Sequence, residues 1–290
     1  MSHRTHTPDL DRRTLLVTLP VAGLSLTGTA WLAASAAAQS GEPRPAASPP
    51  APSTPAGPSR LHPYYPGQEP ERVKEMVGVS HGNVARVREL LAERPALARA
   101  AWDWGWGDWE SALDAASHVG NREIAELLLA QGARPTLFSA AMLGQLAVVK
   151  AFIEARPGVQ RTRGPHGINL MAHAKNGGPE AAAVVAYLET LGDADPQYTL
   201  APISEEEAGK LTGSYEHGPD LRLEVSLNKG QLQIERPGGT PRRLLHLGRQ
   251  EFFPTGAETV KIRIEVRPDG AAELTVEDGG YVLSARRRPA

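Results

Sequence analysis

The stretch Ser111–Ala133, SALDAASHVGNREIAELLLAQGA, decides the fold of the central part of the chain. Its small residues Ala115 and Ala116 allow one helix to lie close against a neighbour, and Gly120 permits a tight turn. The leucines of Leu127–Leu129 supply an apolar face to a second helix. The stretch therefore predicts two helices joined by a short turn, with the second helix buried on one side.

The same pattern recurs on both sides of this stretch, in Val73–Pro95, Pro135–Gly158 and Ile168–Pro196. Each of these stretches has a glycine where the turn between the two helices is expected. Four similar units are enough for a stable stack, because each unit buries its apolar face against the next one. The sequence therefore predicts four stacked helix pairs over residues 70–196.

Several short motifs in these units belong to a known repeat. Ser111-Ala112-Leu113-Asp114 stands where ankyrin repeats have Thr-Pro-Leu-His, and the alanines, the turn glycine and the leucine run follow in the expected order. Region 70–196 thus resembles about four bacterial ankyrin repeats, with Asp114 replacing the usual histidine. The resemblance implies an ankyrin-repeat α-solenoid that binds a partner and does no chemistry.

The apolar pattern changes after Pro196. Apolar and polar residues alternate in runs such as Leu221–Leu227 and Ile262–Val266, and turn signals such as Asn228-Lys229-Gly230 separate the runs. Seven or eight short antiparallel strands over residues 197–290 therefore predict a small β-barrel or sandwich. Ser204 and Glu207 predict a capping box that begins a short helix before the strands.

This C-terminal part also has a family resemblance. The segment Leu211–Gly239, with Gly213-x-Tyr215, and the ending Tyr281–Arg288 are similar to a small β-domain appended to secreted β-lactamase-like serine hydrolases. In those proteins a separate domain does the chemistry, so the resemblance implies no catalytic residue here. The predicted fold class is a multidomain α plus β protein, with a solenoid followed by a small antiparallel β-barrel or sandwich.

Residues 1–38 have the features of an export signal. Arg12-Arg13 with Leu15-Leu16 resembles the twin-arginine motif, and an apolar segment leads to small residues at Ala36–Ala38. Residues 39–69 are rich in proline and alanine, which favours an extended linker. We expect a periplasmic or secreted protein with no membrane span after cleavage. The alternative is that the apolar segment remains as an anchor.

Composition excludes several classes of function. The chain has 290 residues, 31 basic and 33 acidic side chains, and no cysteine. A balance so close to neutral does not favour binding to nucleic acid. The lack of cysteine excludes disulfides, thiolate metal sites and a cysteine nucleophile.

Four of the five tryptophans lie in WDWGWGDW, Trp102–Trp109, between the first and second predicted helix pairs. In an extended segment Trp102, Trp104 and Trp106 would share one side. They either pack within the protein or meet a protein, peptide or glycan of the cell envelope. The second alternative predicts a non-catalytic scaffold, with contacts at Trp102, Trp104, Trp106, Trp109, Asp103, Asp108, Asp114, His118 and Met142.

His166 and His173 lie in GPHGINLMAHAKNGG, close to Lys175. One hypothesis is a ligand site or an enzyme site at these residues, or at the junction with the β-domain. Two histidines with no carboxylate nearby in sequence make a poor metal site. We therefore expect His166 to brace a turn and His173 to fill a gap between helices. We expect no metal, no cofactor and no enzyme activity, since no nucleophile–base pair is recognisable.

Overall fold

The computed structural model describes residues 62–288, which belong to one compact unit. The predicted signal at 1–38 and most of the predicted linker at 39–69 lie outside the described residues. Apart from the short 3₁₀ helices, the helices are α1 Pro70–Val79, α2 Val84–Glu93, α3 Ala112–His118, α4 Arg122–Ala130, α5 Leu137–Met142, α6 Leu146–Ala155, α7 Leu170–Asn176, α8 Ala182–Leu191 and α9 Glu205–Lys210. The strands are β1 Ala101–Asp103, β2 Trp109–Ser111, β3 Gly213–His217, β4 Leu221–Asn228, β5 Gln231–Glu235, β6 Arg242–Gly248, β7 Glu251–Pro254, β8 Lys261–Val266, β9 Ala272–Asp278 and β10 Tyr281–Arg287.

The first eight helices form four consecutive pairs, which we call the helical part (residues 70–191). The first helices of the pairs pack side by side, since α3 contacts α1 and α5, and α5 contacts α7. The side chains of Asn83, Ser111, Asn121, Thr136 and Asn169 cap helices by accepting a hydrogen bond from a backbone N–H of the first turn. Gly120 has φ +77°, and a Cβ there would clash with the carbonyl of Asn176, so this turn requires glycine.

The C-terminal strands form a closed antiparallel barrel (residues 213–287) in the order β10-β3-β4-β5-β6-β7-β8-β9. The predicted small antiparallel β-fold is confirmed, and of the two alternatives it is the barrel. The predicted capping box is confirmed as well, because Ser204 and Glu207 cap each other's backbone N–H at the start of α9. Apolar side chains such as Tyr215, Ile234, Phe252 and Leu274 are buried in the barrel core.

One hairpin of the barrel has no turn signal in the sequence. The predicted turn at Lys229-Gly230 has both residues at positive φ, as a two-residue hairpin requires. The turn between β6 and β7 uses Arg249 and Gln250 at positive φ instead. Neither residue type favours that conformation, so sequence patterns alone miss this turn.

The helical part and the barrel lie on either side of the predicted division between residues 196 and 197. Their contacts include Trp106, which packs against the barrel core, and the ion pair between Asp108 and Arg242 of β6. Within residues 62–288 no helix combines the length and the hydropathy that a bilayer crossing requires.

Candidate metal centre

Two histidines occupy similar places in the first two helix pairs. Ser80 and Ser117 each donate a side-chain hydrogen bond to the carbonyl four residues earlier, at 2.7 and 2.6 Å. A histidine follows each serine, at the end of the first helix of its pair. Because the two pairs are stacked, the Nε2 atoms of His81 and His118 lie 3.0 Å apart.

The connection between these pairs contributes a buried carboxylate. Strands β1 and β2 form a short antiparallel hairpin, in which Glu110 pairs with Trp102. Side chains alternate along a strand, so Glu110 points inward and is fully buried, whereas Trp109 is 63 % exposed. Glu110 Oε1 lies 3.5, 3.0 and 3.2 Å from the Nε2 atoms of His81, His118 and His166.

The three short contacts with imidazole nitrogens do not give Glu110 Oε1 a well-formed hydrogen bond. In the part of the chain that the structure describes, this buried oxygen has no hydrogen-bond partner of acceptable geometry. The three Nε2 atoms and Oε1 all lie within 4.8 Å of one another. One donor atom from each of the four side chains could therefore reach the same ion.

His166 reaches the cluster from a distant turn. It lies in the 3₁₀ turn Pro165–Gly167 with φ +60°, a conformation that is uncommon outside glycine. Asp108 holds it there by accepting from the His166 backbone N–H at 2.8 Å and from Nδ1–H at 2.7 Å. Because Nδ1 carries the donated proton, Nε2 is the atom left to face Glu110.

Further hydrogen bonds and an ion pair hold the side chains of the cluster in their orientations. His81 Nδ1–H donates to the carbonyl of Gly78 at 3.0 Å, which also directs Nε2 toward the cluster. Trp104 Nε1–H donates to the second oxygen of Glu110, Oε2, at 2.7 Å. From β6 of the barrel, the buried Arg242 places a guanidinium nitrogen 2.5 Å from Asp108 Oδ2. Such supporting hydrogen bonds are a regular feature around metal-binding histidines.

The charges of the cluster are strongly coupled. Burial raises the pKa of Glu110, but the neighbouring rings of His118, His166 and His81 outweigh it and hold the pKa far below the usual range. Burial alone would lower the pKa of His166, yet Asp108 and Glu110 raise it to about 9. The pKa of His81 is raised mainly by Glu110. Without an ion, the carboxylate is therefore charged and favours protonation of His81 and His166.

His173 does not belong to the cluster. It is fully buried, its Nδ1–H donates to the carbonyl of Asn169 at 2.9 Å, and its ring packs against Phe138 with centroids 4.7 Å apart. Burial lowers its pKa. These contacts fit the predicted role of His173 as a packing residue. Lys175 is exposed at the end of α7.

The tryptophans do not share one side as an extended segment would require. Trp102 and Trp104 pack against the core of the first two helix pairs, whereas Trp106 packs against the barrel core. The extended backbone ends at Asp103, and Trp106 has φ +63° in the hairpin turn. Trp109 alone of the four is largely exposed, so packing within the protein accounts for the other three.

The remaining predicted contacts have structural surroundings. Asp103 is exposed and accepts from the backbone N–H of Gly105 at 2.9 Å. Asp114 is buried and accepts from Thr136 Oγ1 at 2.7 Å, so it joins the starts of α3 and α5. Met142 is fully buried, and a role in partner contact is therefore wrong for this residue.

Sequence reasoning named His118, His166 and Asp108 but missed His81, Glu110 and Arg242. The recurrence of Ser-His at Ser80-His81 and Ser117-His118, one and two residues before the turn glycines Gly82 and Gly120, is a signal that could have found His81. The structure also brings Asp108 to His166 across 58 residues. No carboxylate lies near His166 in the sequence, but in the folded chain Asp108 lies directly beside it.

Comparison of the chain with protein-family models, with curated proteins and with solved structures finds no match.

Proposed function

We propose that the protein binds one divalent transition-metal ion, foremost Zn²⁺, through His81, Glu110, His118 and His166. The observation that carries this proposal is the fully buried Glu110 Oε1, which faces three imidazole nitrogens without a hydrogen-bond partner among the described residues. A buried carboxylate oxygen without a hydrogen-bond partner is costly, and an ion bound between the four side chains would satisfy this oxygen and the three ring nitrogens at once.

The spacing of the donor atoms supports a small ion with nitrogen and oxygen ligands. A tetrahedral zinc site with bonds of about 2.0 Å has donor atoms about 3.3 Å apart. Four of the distances within the cluster lie between 3.0 and 3.5 Å. Calcium and magnesium prefer oxygen ligands, so three imidazoles argue against them.

The ion would act as a cross-link. Its ligands come from the ends of α1 and α3, from the hairpin β1–β2 and from the turn Pro165–Gly167. An ion that binds the folded chain alone stabilises it, because the unfolded chain does not hold these ligands together. In this proposal the centre supports a non-catalytic scaffold.

We also propose that this scaffold is of the ankyrin type and is exported, as the sequence resemblances imply. The stacking of α1, α3, α5 and α7, and the obligatory glycine at the Gly120 turn, support the first part. Zinc cross-linking would serve an exported protein without cysteine, since such a chain has no disulfide to stabilise it.

A second candidate function is the docking of a protein, peptide or glycan of the cell envelope. The observation that favours it is the exposed indole of Trp109. Tryptophan is common at binding surfaces because it combines a large apolar area with a polar N–H. An envelope partner that binds there should shift the tryptophan emission of the protein, and Trp109→Ser should abolish the shift.

Titration of the full metal-free chain with Zn²⁺ in a calorimeter tests the metal proposal. We expect one ion per chain, and a rise in melting temperature that a chelator reverses. Glu110→Gln should lose most of the affinity, whereas Glu189→Gln, at an exposed glutamate on α8, should keep it. Failure of the wild-type chain to bind one Zn²⁺, or equal affinities of the two variants, would refute the proposal.

A further inference from the structure

We propose that the ion at this centre carries a fifth, exchangeable ligand, either a water molecule or a small monoanion, in the gap between His81 and His166. The proposal rests on the metal-binding function proposed above and adds a ligand site to it. Three separate features of the centre support it.

The first feature is the uneven exposure of the four ligands. The side chains of Glu110 and His118 are 0 % and 10 % exposed, whereas those of His166 and His81 are 24 % and 33 % exposed. The buried pair closes one side of the centre. The exposed pair leaves the opposite side open to solvent.

The second feature is the spacing of the rings. The ring centroids of His81 and His118 are 4.8 Å apart, and those of His118 and His166 are 5.4 Å apart. His81 and His166 are separated by 6.4 Å and lie nearly parallel, with 23° between their planes. The widest gap between rings therefore lies between the two most exposed ligands.

The third feature is the way Glu110 is held. Because Glu110 Oε2 accepts a hydrogen bond from Trp104 Nε1–H, only the other oxygen, Oε1, is available to bind the ion. One oxygen and three nitrogens give four bonds, and the coordination of zinc can expand to five ligands. A divalent ion with one carboxylate keeps a net charge of +1, and Arg242 already balances Asp108. A water molecule or a monoanion is the ligand that suits this charge.

The test uses the full wild-type chain loaded with Co²⁺, whose visible absorption reports the number and kind of its ligands. We expect azide, and separately acetate, to change this absorption in a saturable manner with one anion per bound ion. Co²⁺ that remains bound with an unchanged spectrum would overturn the fifth-ligand proposal and leave the metal site intact. If Co²⁺ and Zn²⁺ do not bind at all, the proposed function itself fails.

A second experiment locates the open side. In His81→Ala an added imidazole has access to the vacated position, so it should raise Co²⁺ affinity by about tenfold, or about 1.4 kcal/mol. In His118→Ala the vacated position is closed to solvent, and imidazole should have no effect. Equal rescue of the two variants, or rescue of His118→Ala alone, would contradict an opening between His81 and His166.

Discussion

The first two helix pairs differ from the last two in what they place at the end of the first helix. Counted back from the turn glycine, His118 in the second pair corresponds to Met142 in the third and Lys175 in the fourth. Met142 is fully buried in the core, and Lys175 is exposed. The same backbone position can therefore hold a candidate ligand, a core residue or a surface residue.

What separates the pairs is the connection between them. Residues 94–111 join α2 to α3 and contain the hairpin β1–β2, whereas residues 131–136 suffice to join α4 to α5. The longer connection supplies Glu110 as a candidate ligand, and Asp108 and Trp104 as groups that hold the candidate ligands in place. A histidine at the end of a helix becomes a candidate ligand only where such a connection brings a carboxylate beside it.

The largest loss of Zn²⁺ affinity should come from replacing His118 with methionine, the residue type at the corresponding position of the third pair. In His118→Met the side chain remains suited to packing, but it loses the nitrogen that faces Glu110. We expect Zn²⁺ affinity, measured by calorimetry or competition with a chelating dye, to fall by about a thousandfold, or about 4 kcal/mol.

The matched control is His217→Met, at the exposed end of barrel strand β3. It should bind Zn²⁺ as the wild-type chain does. Unchanged affinity of His118→Met would remove His118 from the ligand set.

The next prediction concerns how the free energy of unfolding depends on pH, which should involve His166 and not His173. The folded pKa of His166 is raised to about 9, so its stabilising contribution is complete below the unfolded value of about 6.5 and is lost as the pH rises through about 9. The free energy of unfolding of the metal-free chain should therefore fall between pH 7 and 10, by at most about 3 kcal/mol.

Urea unfolding at several pH values measures this trend. With saturating Zn²⁺ the fall should disappear, because the ion requires the unprotonated ring. His166→Gln should show a flatter profile without metal. His173→Gln should leave the slope above pH 7 unchanged, since burial lowers the pKa of His173. A metal-free wild-type chain that becomes more stable between pH 7 and 10 would contradict the charge assignment.

A smaller loss of Zn²⁺ affinity should follow when the hydrogen bonds from His166 to Asp108 are weakened. Asp108→Asn keeps the size of the side chain but weakens its hold on the His166 ring and on Arg242. We expect Zn²⁺ affinity to fall by about 10- to 100-fold, as is typical for groups that orient metal ligands. Asp103→Asn, in the same hairpin but exposed, is the control and should bind normally. Equal affinities of these two variants would show that Asp108 does not position the site.

The smallest effect should come from Trp109→Ser. The side chain alternates with Glu110 along β2 and is 63 % exposed, so its loss should change the free energy of unfolding by no more than about 0.5 kcal/mol. Zn²⁺ affinity should stay the same. A loss of zinc binding in this variant would mean that the hairpin depends on Trp109 for its position.

Much of the fold was predictable because its signals are local. The alternation in Leu221–Leu227 and Ile262–Val266 predicts strands β4 and β8 directly. Ser204 predicts the start of α9, because it is the capping residue of that helix. The hairpin β6–β7 was not predictable in this way, because Arg249 and Gln250 adopt a conformation that their residue types do not indicate.

The candidate centre was predictable only in pieces, because its contacts are long-range. His118 and His166 stood out as histidines, yet nothing near them in sequence pairs them with Glu110. Arg242 lies 76 residues beyond His166 and meets it only when the barrel packs against the helical part. Local patterns name residue types, whereas the stacking of elements decides which of them converge.

The hydrogen bond between Trp104 and Glu110 has a practical consequence for spectroscopy. It places an indole in direct contact with the second oxygen of the candidate ligand Glu110, 2.7 Å from nitrogen to oxygen. Open-shell ions such as Cu²⁺ and Co²⁺ quench nearby excited states, while closed-shell Zn²⁺ does not. If the centre binds an ion, the native fluorophore would thus provide a label-free readout of which kind of ion it is.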